Sequence, residues 1–198
     1  PYFCRRLIAR SRELGVPVYV DPKGRDYDKY SGATAIKPNR AEMADLAQAK
    51  GRASQGAVES AKLLREVLGL DFVALTLGAH GIAVVTAEGT DEIPTVAREV
   101  FDVSGAGDTV IATMAAALSA GLTLSDSVSL ANMAAAEVIA HTGTCPVRRE
   151  DLLLAVQNRD RTHSLRKLYT LEELQVVVRA WRAQGLRVAV TNGCFDLL

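Results

Sequence analysis

The chain has 198 residues, nearly half of them apolar, enough for a sizeable core in one large domain or in one domain and part of another. Its 23 basic and 23 acidic residues cancel, and no basic stripe with interleaved aromatics occurs, so nucleic acid and anionic membranes are poor partners. No apolar run reaches membrane-spanning length, the opening residues lack the order of a signal peptide, and Cys4, Cys145 and Cys194 are widely spaced, which fits a reduced cytoplasmic protein without a metal cluster or disulfide framework.

Tyr2 to Leu14 reads as a helix, with Phe3, Leu7, Ile8 and Leu14 at helical spacing and Gly15 as its stop. Val16 to Val20 is a short β-branched strand ended by Asp21-Pro22, and Ala33 to Ile36 is a second brief strand behind a loop. Helix followed by strand is the rhythm of an α/β sheet. In Lys37-Pro38-Asn39-Arg40-Ala41-Glu42, Pro38 blocks continuation of a central strand. Asn39 is a good N-cap for a helix over Ala41 to Lys50, and Glu42 completes a capping box.

Gln55 to Leu68 is a further helix, with Val58, Ala61, Leu64 and Leu68 inward and Gly69 ending it. Phe72 to Leu77 is a strand of buried type, followed by Gly78-Ala79-His80-Gly81 and a second strand, Ile82 to Thr86. By itself this pair is a hairpin. His80 reads as a loop residue, because no second His or Cys lies at ligand spacing. Ala87 to Glu99 is polar, with Gly89 at a turn, and forms a hairpin edge.

Asp102-Val103-Ser104-Gly105-Ala106-Gly107-Asp108-Thr109 follows, with a long apolar segment directly behind it. Two glycines around an alanine let the backbone turn tightly and present bare N–H groups at the start of a helix, where the dipole also favours an anion. Asp108 falls in the first helical turn. A carboxylate beside an anion site is costly unless a third group comes between them, and a hydroxyl attacking a phosphate is such a group. Val110, Ile111, Met114, Ala115 and Leu118 form one face of the helix behind. Ser125 caps another, with Val128, Ala131, Ala135, Val138 and Ile139 along one side.

The string from Asp102 to Asp108 resembles the C-terminal signature of the ribokinase-like sugar kinases, Asp-x-x-Gly-Ala-Gly-Asp. The resemblance implies an α/β fold, the C-terminal part of a ribokinase-like Rossmann-type sandwich. It implies Asp108 as the group that deprotonates the sugar hydroxyl, with the amides of Gly105, Ala106 and Gly107 holding the transferring charge. Asn39 and Glu42 match the family's Asn-x-x-Glu element, which organises Mg²⁺ and the nucleotide phosphates through water; a cap and that role can hold together. Thr76, Gly78 and Gly81 match Thr-x-Gly-x-x-Gly, where the backbone passes close to ATP. Asn132 and Gly143 are candidate contacts at the adenine pocket, the other reading being a packed helix with an exposed asparagine. Asp102 and Ser104 match positions that help hold a monovalent cation, K⁺, in relatives.

Glu150 to Val156 is a short closing helix, and residues 158–167 read as a linker between a kinase portion, 1–157, and a second domain beginning at 168. Thr170-Leu171-Glu172-Glu173 is a capping box, Leu171, Leu174, Val178 and Trp181 give a helical stripe, and Leu186 to Val190 is a strand. As bare sequence, Asn192-Gly193 behind it is a turn. Gly193-Cys194-Phe195-Asp196 resembles the Gly-x-Phe-Asp opening of the small nucleotidyltransferases, which implies nucleotide binding at Gly193, Phe195 and Asp196 within the first helix and strand of such an α/β domain.

The order of the two resemblances is that of the bifunctional heptose 7-phosphate kinase/heptose 1-phosphate adenylyltransferases, which serve ADP-heptose synthesis for the lipopolysaccharide core. That likeness implies ATP, Mg²⁺ and a sugar phosphate as ligands, and a homodimer of the full-length protein. Without an initiator methionine, the chain reads as an internal fragment. Another ribokinase-like carbohydrate kinase with an unrelated tail, or a non-catalytic nucleotide-binding fragment, are the alternatives.

Overall fold

The computed structural model describes residues 2–49, 56–95, 103–141, 143 and 145–164, and then 171, 174–175, 178–179, 182 and 187–189. The chain divides into two compact units, Pro1–Val156 and Gln157–Leu198. In the first unit, helix α1 (Tyr2–Glu13) leads to strand β1 (Tyr19–Val20) and, after a 3₁₀ turn at Asp28–Tyr30, to β2 (Ala35–Ile36). Helices α2 (Arg40–Ala49) and α3 (Ala57–Leu68) precede β3 (Phe72–Thr76), β4 (Ile82–Val85) and β5 (Thr90–Ile93). Helices α4 (Ala106–Ser119), α5 (Leu124–Ile139) and α6 (Arg149–Ser164) follow.

The strands form one mixed sheet in the order β1-β2-β3-β4-β5. β1, β2 and β3 run parallel, while β4 and β5 are added as antiparallel hairpin strands. The short β1–β2 pair is lengthened by the Thr34 and Ala35 amides donating to the Val18 carbonyl and the Lys37 amide donating to Val20. Side chains of β3 and β4 alternate between two apolar clusters, as the two-residue period of a strand requires. Val73, Leu75, Ala83 and Val85 join Met43 and Leu46 of α2, Leu64 and Leu68 of α3, and Ile8 of α1. Phe72, Ala74, Ile82 and Val84 join Val110 and Met114 of α4 and Val128 and Ala131 of α5. The sheet is therefore a middle layer between helices on both faces, which is why β3 and β4 are near-continuous apolar runs.

Several expectations shift against this frame. On α1 only Ile8 of the predicted stripe is buried; Phe3 is 74% and Leu7 49% exposed, and Leu14 is exposed beyond the helix end. Leu7 and Ile8 are adjacent and so point about 100° apart, and the core takes the stripe through Cys4 and Ile8 instead. The α5 cap is Thr123 rather than Ser125: its hydroxyl oxygen accepts from the Asp126 amide at 3.1 Å, and the hydroxyl donates to Asp126 Oδ2 at 2.7 Å.

Helix α6 continues to Ser164, through residues read as linker. The span from Glu150 to Ser164 is polar at its end but contains neither Gly nor Pro, so nothing local stops the helix. In the second unit, residues 187–189 carry no ladder pairing, because a strand forms only against a partner and none is present among the described residues. The capping box at Thr170 and most of the helical stripe lie outside the described residues.

Candidate active site

Ligands of open α/β sheets gather at the carboxyl ends of the parallel strands. Here β1 ends at Val20 and is followed by Asp21, β2 ends at Ile36 and is followed by Lys37, and β3 ends at Thr76, two residues ahead of Gly78. Pro38 breaks β2, yet its carbonyl accepts the Thr76 amide at 3.0 Å, and Asn39 forms an isolated parallel bridge with Thr76. The Asn-x-x-Glu and Thr-x-Gly-x-x-Gly elements, 37 positions apart in sequence, thus lie side by side. The capping box is present: the Asn39 amide donates to Glu42 Oε2 and the Glu42 amide donates to Asn39 Oδ1, each at 2.8 Å. Glu42 Oε1 stays outside the box, 3.9 Å from Lys23 Nζ.

After β3 the chain makes a 3₁₀ turn over Gly78–His80, closed by the Leu77 amide donating to the Gly81 carbonyl at 2.8 Å. Gly78 has φ +63° and Gly81 φ +91°, conformations that disfavour any side chain. Around Gly78 the space is open, whereas a Cβ on Gly81 would run into the carbonyl of Ile93 and the backbone of Pro94 and Thr95. Gly81 therefore has a steric reason within the chain itself, the close passage of the segment leaving β5.

The Gly-Ala-Gly-Asp run forms the expected helix start. Gly105 caps α4 in the left-handed region, φ 81° and ψ −7°, and Asp108 sits exposed in the first turn. The helical ladder opens with the Thr109 amide donating to the Gly105 carbonyl at 2.9 Å. Ahead of it, the amides of Gly107 and Asp108 have no intrahelical acceptor, the ordinary state of a first turn and the basis of anion binding there.

A charged cluster joins these elements, and sequence reading missed it. Asp21 Oδ2 lies 2.9 Å from Lys23 Nζ, and Oδ1 lies 2.9 Å from Lys37 Nζ. The second contact is an ion pair rather than an aligned hydrogen bond, since Oδ1 meets no donor at hydrogen-bond geometry. Burial pushes the Asp21 carboxyl upward, but the contacts with Lys23 and Lys37 outweigh it and hold Asp21 below the ordinary carboxylate range. The bond to Asp21 and its charge raise the Lys23 ammonium above its usual range, with Glu42 and Asp108 adding to the effect. Lys23 thus feels the carboxylates of both motifs. Lys37 Nζ lies 3.0 Å from the position a Cβ would take on Gly107. The available signal was positional: Asp21 and Lys37 each directly follow a parallel strand.

Asn132, expected either exposed or at adenine, is buried and donates through Nδ2 to the Pro94 carbonyl at 2.6 Å, tying α5 to the exit of β5. A buried amide side chain needs a partner, and the unpaired carbonyl of a proline leaving a strand supplies it. Gly143 follows α5 with φ +81°. Ser104 lies exposed in the turn before α4, while Asp102, Gly193, Phe195 and Asp196 lie outside the described residues. No group of three or more metal-ligating side chains occurs among the described residues, and no helix there is long and apolar enough to cross a membrane.

The chain is 45% identical over 195 residues to "Bifunctional protein HldE" of Methylobacillus flagellatus, covering 98% of this chain and 40% of that protein. It therefore spans about two fifths of the length of the curated relatives it matches. Among solved structures, a ribokinase from Thermotoga maritima superposes with a TM-score of 0.69 at 23% identity, covering 77% of this chain and 52% of that one. An aminoimidazole riboside kinase from Salmonella enterica, complexed with aminoimidazole riboside and an ATP analogue, gives 0.67 at 25% identity, covering 77% and 56%. The fold is ribokinase-like, and residues 3–150 match the pfkB family of carbohydrate kinases, to which this chain belongs.

Proposed function

We propose that the chain carries the nucleotide and catalytic portion of a sugar kinase. The enzyme moves the γ-phosphoryl group of ATP to the anomeric hydroxyl of D-glycero-D-manno-heptose 7-phosphate, in a bifunctional protein that also adenylylates heptose 1-phosphate to ADP-heptose. The observation that carries the phosphoryl-transfer reading is the Gly105 turn, which sets the free first-turn amides of α4 beside the exposed carboxylate of Asp108 at the carboxyl edge of the sheet. The choice of heptose is supported by the likeness to HldE along nearly the whole chain.

In this reading Asp108 accepts the proton of the attacking hydroxyl and orients it in line with the phosphorus. Of the amides of the Gly105–Gly107 turn, that of Ala106 donates to the Val103 carbonyl at 3.3 Å, and the one of Gly107 is left to hold the charge that develops on the phosphoryl oxygens. In a loose phosphoryl transfer, positioning and electrostatics do most of the catalysis, so an ordinary carboxylate suffices. Mg²⁺ fits the donor set as a water-rich ion beside phosphates: Glu42 retains Oε1 outside its capping box, and one or two carboxylates are what such an ion asks of a protein. Bound there, Mg²⁺ neutralises phosphate charge. K⁺ at Asp102 and Ser104, adenylyl transfer through Gly193, Phe195 and Asp196, and a cytoplasmic homodimer belong to the same proposal.

The test is ADP release by the purified full-length protein with heptose 7-phosphate, fructose 6-phosphate, ribose and a nucleoside as acceptors. Heptose 7-phosphate should lead the others in kcat/KM by about 10²-fold or more, since a site built to bind a substrate's polar groups rejects analogues lacking them. Preference for another acceptor would move the substrate assignment, and absence of any sugar-dependent ADP release would refute the kinase reading.

A further inference from the structure

A cavity of about 560 Å³ lies among α2, the start of α3, the 3₁₀ turn after β3 and β5. Its apolar wall includes Met43, Ala47 and Leu77. Met43 and Leu77 belong to the cluster under α2 and α3, whereas α4 packs on the opposite face of the sheet. The cavity is therefore separate from the Gly105 turn, and its size suits a small organic molecule.

Helix α3 opens into this cavity without a side-chain cap. Its N-cap is Gly56, whose backbone, φ −62° and ψ 156°, suits any residue, and nothing stands within 4 Å of the place a Cβ would take. Ser, Thr, Asn or Asp there would accept from the first turn; glycine leaves the amides of Ala57, Val58 and Glu59 to another acceptor. Ser60 points to a ligand independently. It is 8% exposed, and its Oγ has no hydrogen-bond partner. A helical serine can return its hydroxyl to the carbonyl one turn back, but here the Gly56 carbonyl accepts only the Ser60 amide. Helical side chains lean toward the N-terminus of their helix, so Ser60, which lines the cavity, is turned toward the uncapped turn.

Arg40 lines the same cavity, is exposed, and makes no ion pair or hydrogen bond with a described residue. Glu59, the acid of the first turn, is held by Lys62 at 2.7 Å. Glu92, on β5, is the remaining carboxylate of the lining and opposes a bare polyanion. Positive charge, an unused donor and an apolar wall thus meet in one place.

We infer that this cavity binds a small organic anion, a carboxylate or phosphate monoester. Its head takes the first-turn amides of α3, the Ser60 hydroxyl and Arg40, and its apolar body lies on Met43, Ala47 and Leu77. The helix dipole and the guanidinium supply the attraction, and the hydroxyl completes the anion's hydrogen bonds. The site leaves the Gly105 turn free for ATP, and it does not depend on the kinase reading.

The experiment uses the full-length protein as wild type, Arg40→Gln and Ser60→Ala, saturated with a non-hydrolysable ATP analogue and Mg²⁺ so that the nucleotide sites are filled. Titration calorimetry compares hexyl phosphate, hexanoate, hexanol, hexylammonium and inorganic phosphate. One of the two organic anions should bind at least about tenfold more tightly than hexanol or hexylammonium, the size of one charge-assisted contact. It should also bind more tightly than inorganic phosphate, which has no apolar body to bury. Arg40→Gln should weaken it about tenfold, and Ser60→Ala by a smaller factor. Ser60→Ala should melt at or above the wild-type temperature, because it removes an unsatisfied buried hydroxyl; a serine kept for the fold alone would give a lower melt with unchanged affinity. No binding of either organic anion to wild type would overturn the inference, as would equal affinity for hexanol, hexylammonium or inorganic phosphate. So would an affinity unchanged in either variant. Binding seen only without the ATP analogue would place the anion in the nucleotide site and overturn it as well. None of these readouts needs turnover, so a protein inactive toward every sugar leaves the test intact.

Discussion

Replacing Asp108 by Asn in the full-length protein separates catalysis from stability. Asp108 is exposed and its side chain makes no hydrogen bond among the described residues, so the folded state loses little with it. The structural term is the interaction of a negative charge with the first turn of α4, about 0.3–1 kcal/mol. For a domain of about 150–250 residues 1 kcal/mol moves Tm by about 2–4 °C, so the transition of the domain that holds Asp108 should stay within about 4 °C of wild type. The catalytic term is far larger. A positioned acid–base group contributes about 10²–10⁴-fold. At 1.36 kcal/mol per tenfold, that is about 2.7–5.5 kcal/mol of barrier. Coupled ADP assay, thermal melt and ATP titration on one preparation read all three quantities. The expected result is a collapsed kcat with Tm and ATP affinity nearly unchanged. Near-normal turnover would remove Asp108 from the mechanism, and a collapsed Tm would show that its role is structural.

Three further outcomes can be measured. Gly81→Ala should destabilise the fold by about 2 kcal/mol or more, combining positive-φ strain with a clash against the chain leaving β5, while Gly78→Ala, with open space around it, should show only the strain term of about 1–2 kcal/mol; thermal melts of the pair give the difference. Asp21 is held below the ordinary carboxylate range, so its stabilising contribution is fully present above the unfolded value near ~3.9 and is lost as pH falls through the lower folded value; Asp21→Asn should flatten that acid limb in urea midpoints measured from neutral pH downward. Leu75→Ala, at a site with no solvent exposure between β2, β4 and the helices, should cost about 2–5 kcal/mol by denaturant unfolding at unchanged m-value.

What the sequence determined by itself was local. The Gly105 turn and Asp108 were legible because a left-handed cap, bare amides and a first-turn carboxylate are all set within four residues. The Asn39–Glu42 box was legible for the same reason, as was the placement of β3 and β4, whose apolar runs bounded by glycines leave little choice. Where a signal was local but ambiguous, packing chose: two apolar stripes competed on α1, and contact with the core beneath Ile8 selected one. The likeness of Thr76, Gly78 and Gly81 to a nucleotide loop was readable, but that Gly81 is also required by the backbone beyond Ile93 depends on the β4–β5 pairing. Lys37 and Asp21 looked like a strand terminus and a turn. Only the parallel register of β1 and β2, with α4 arriving over them, makes Asp21 and Lys37 neighbours and lays Gly107 against the ammonium. Burial and charge proximity are properties of which strands lie side by side, so tertiary structure alone turned a lysine after a strand into a desolvated cation at a helix N-terminus.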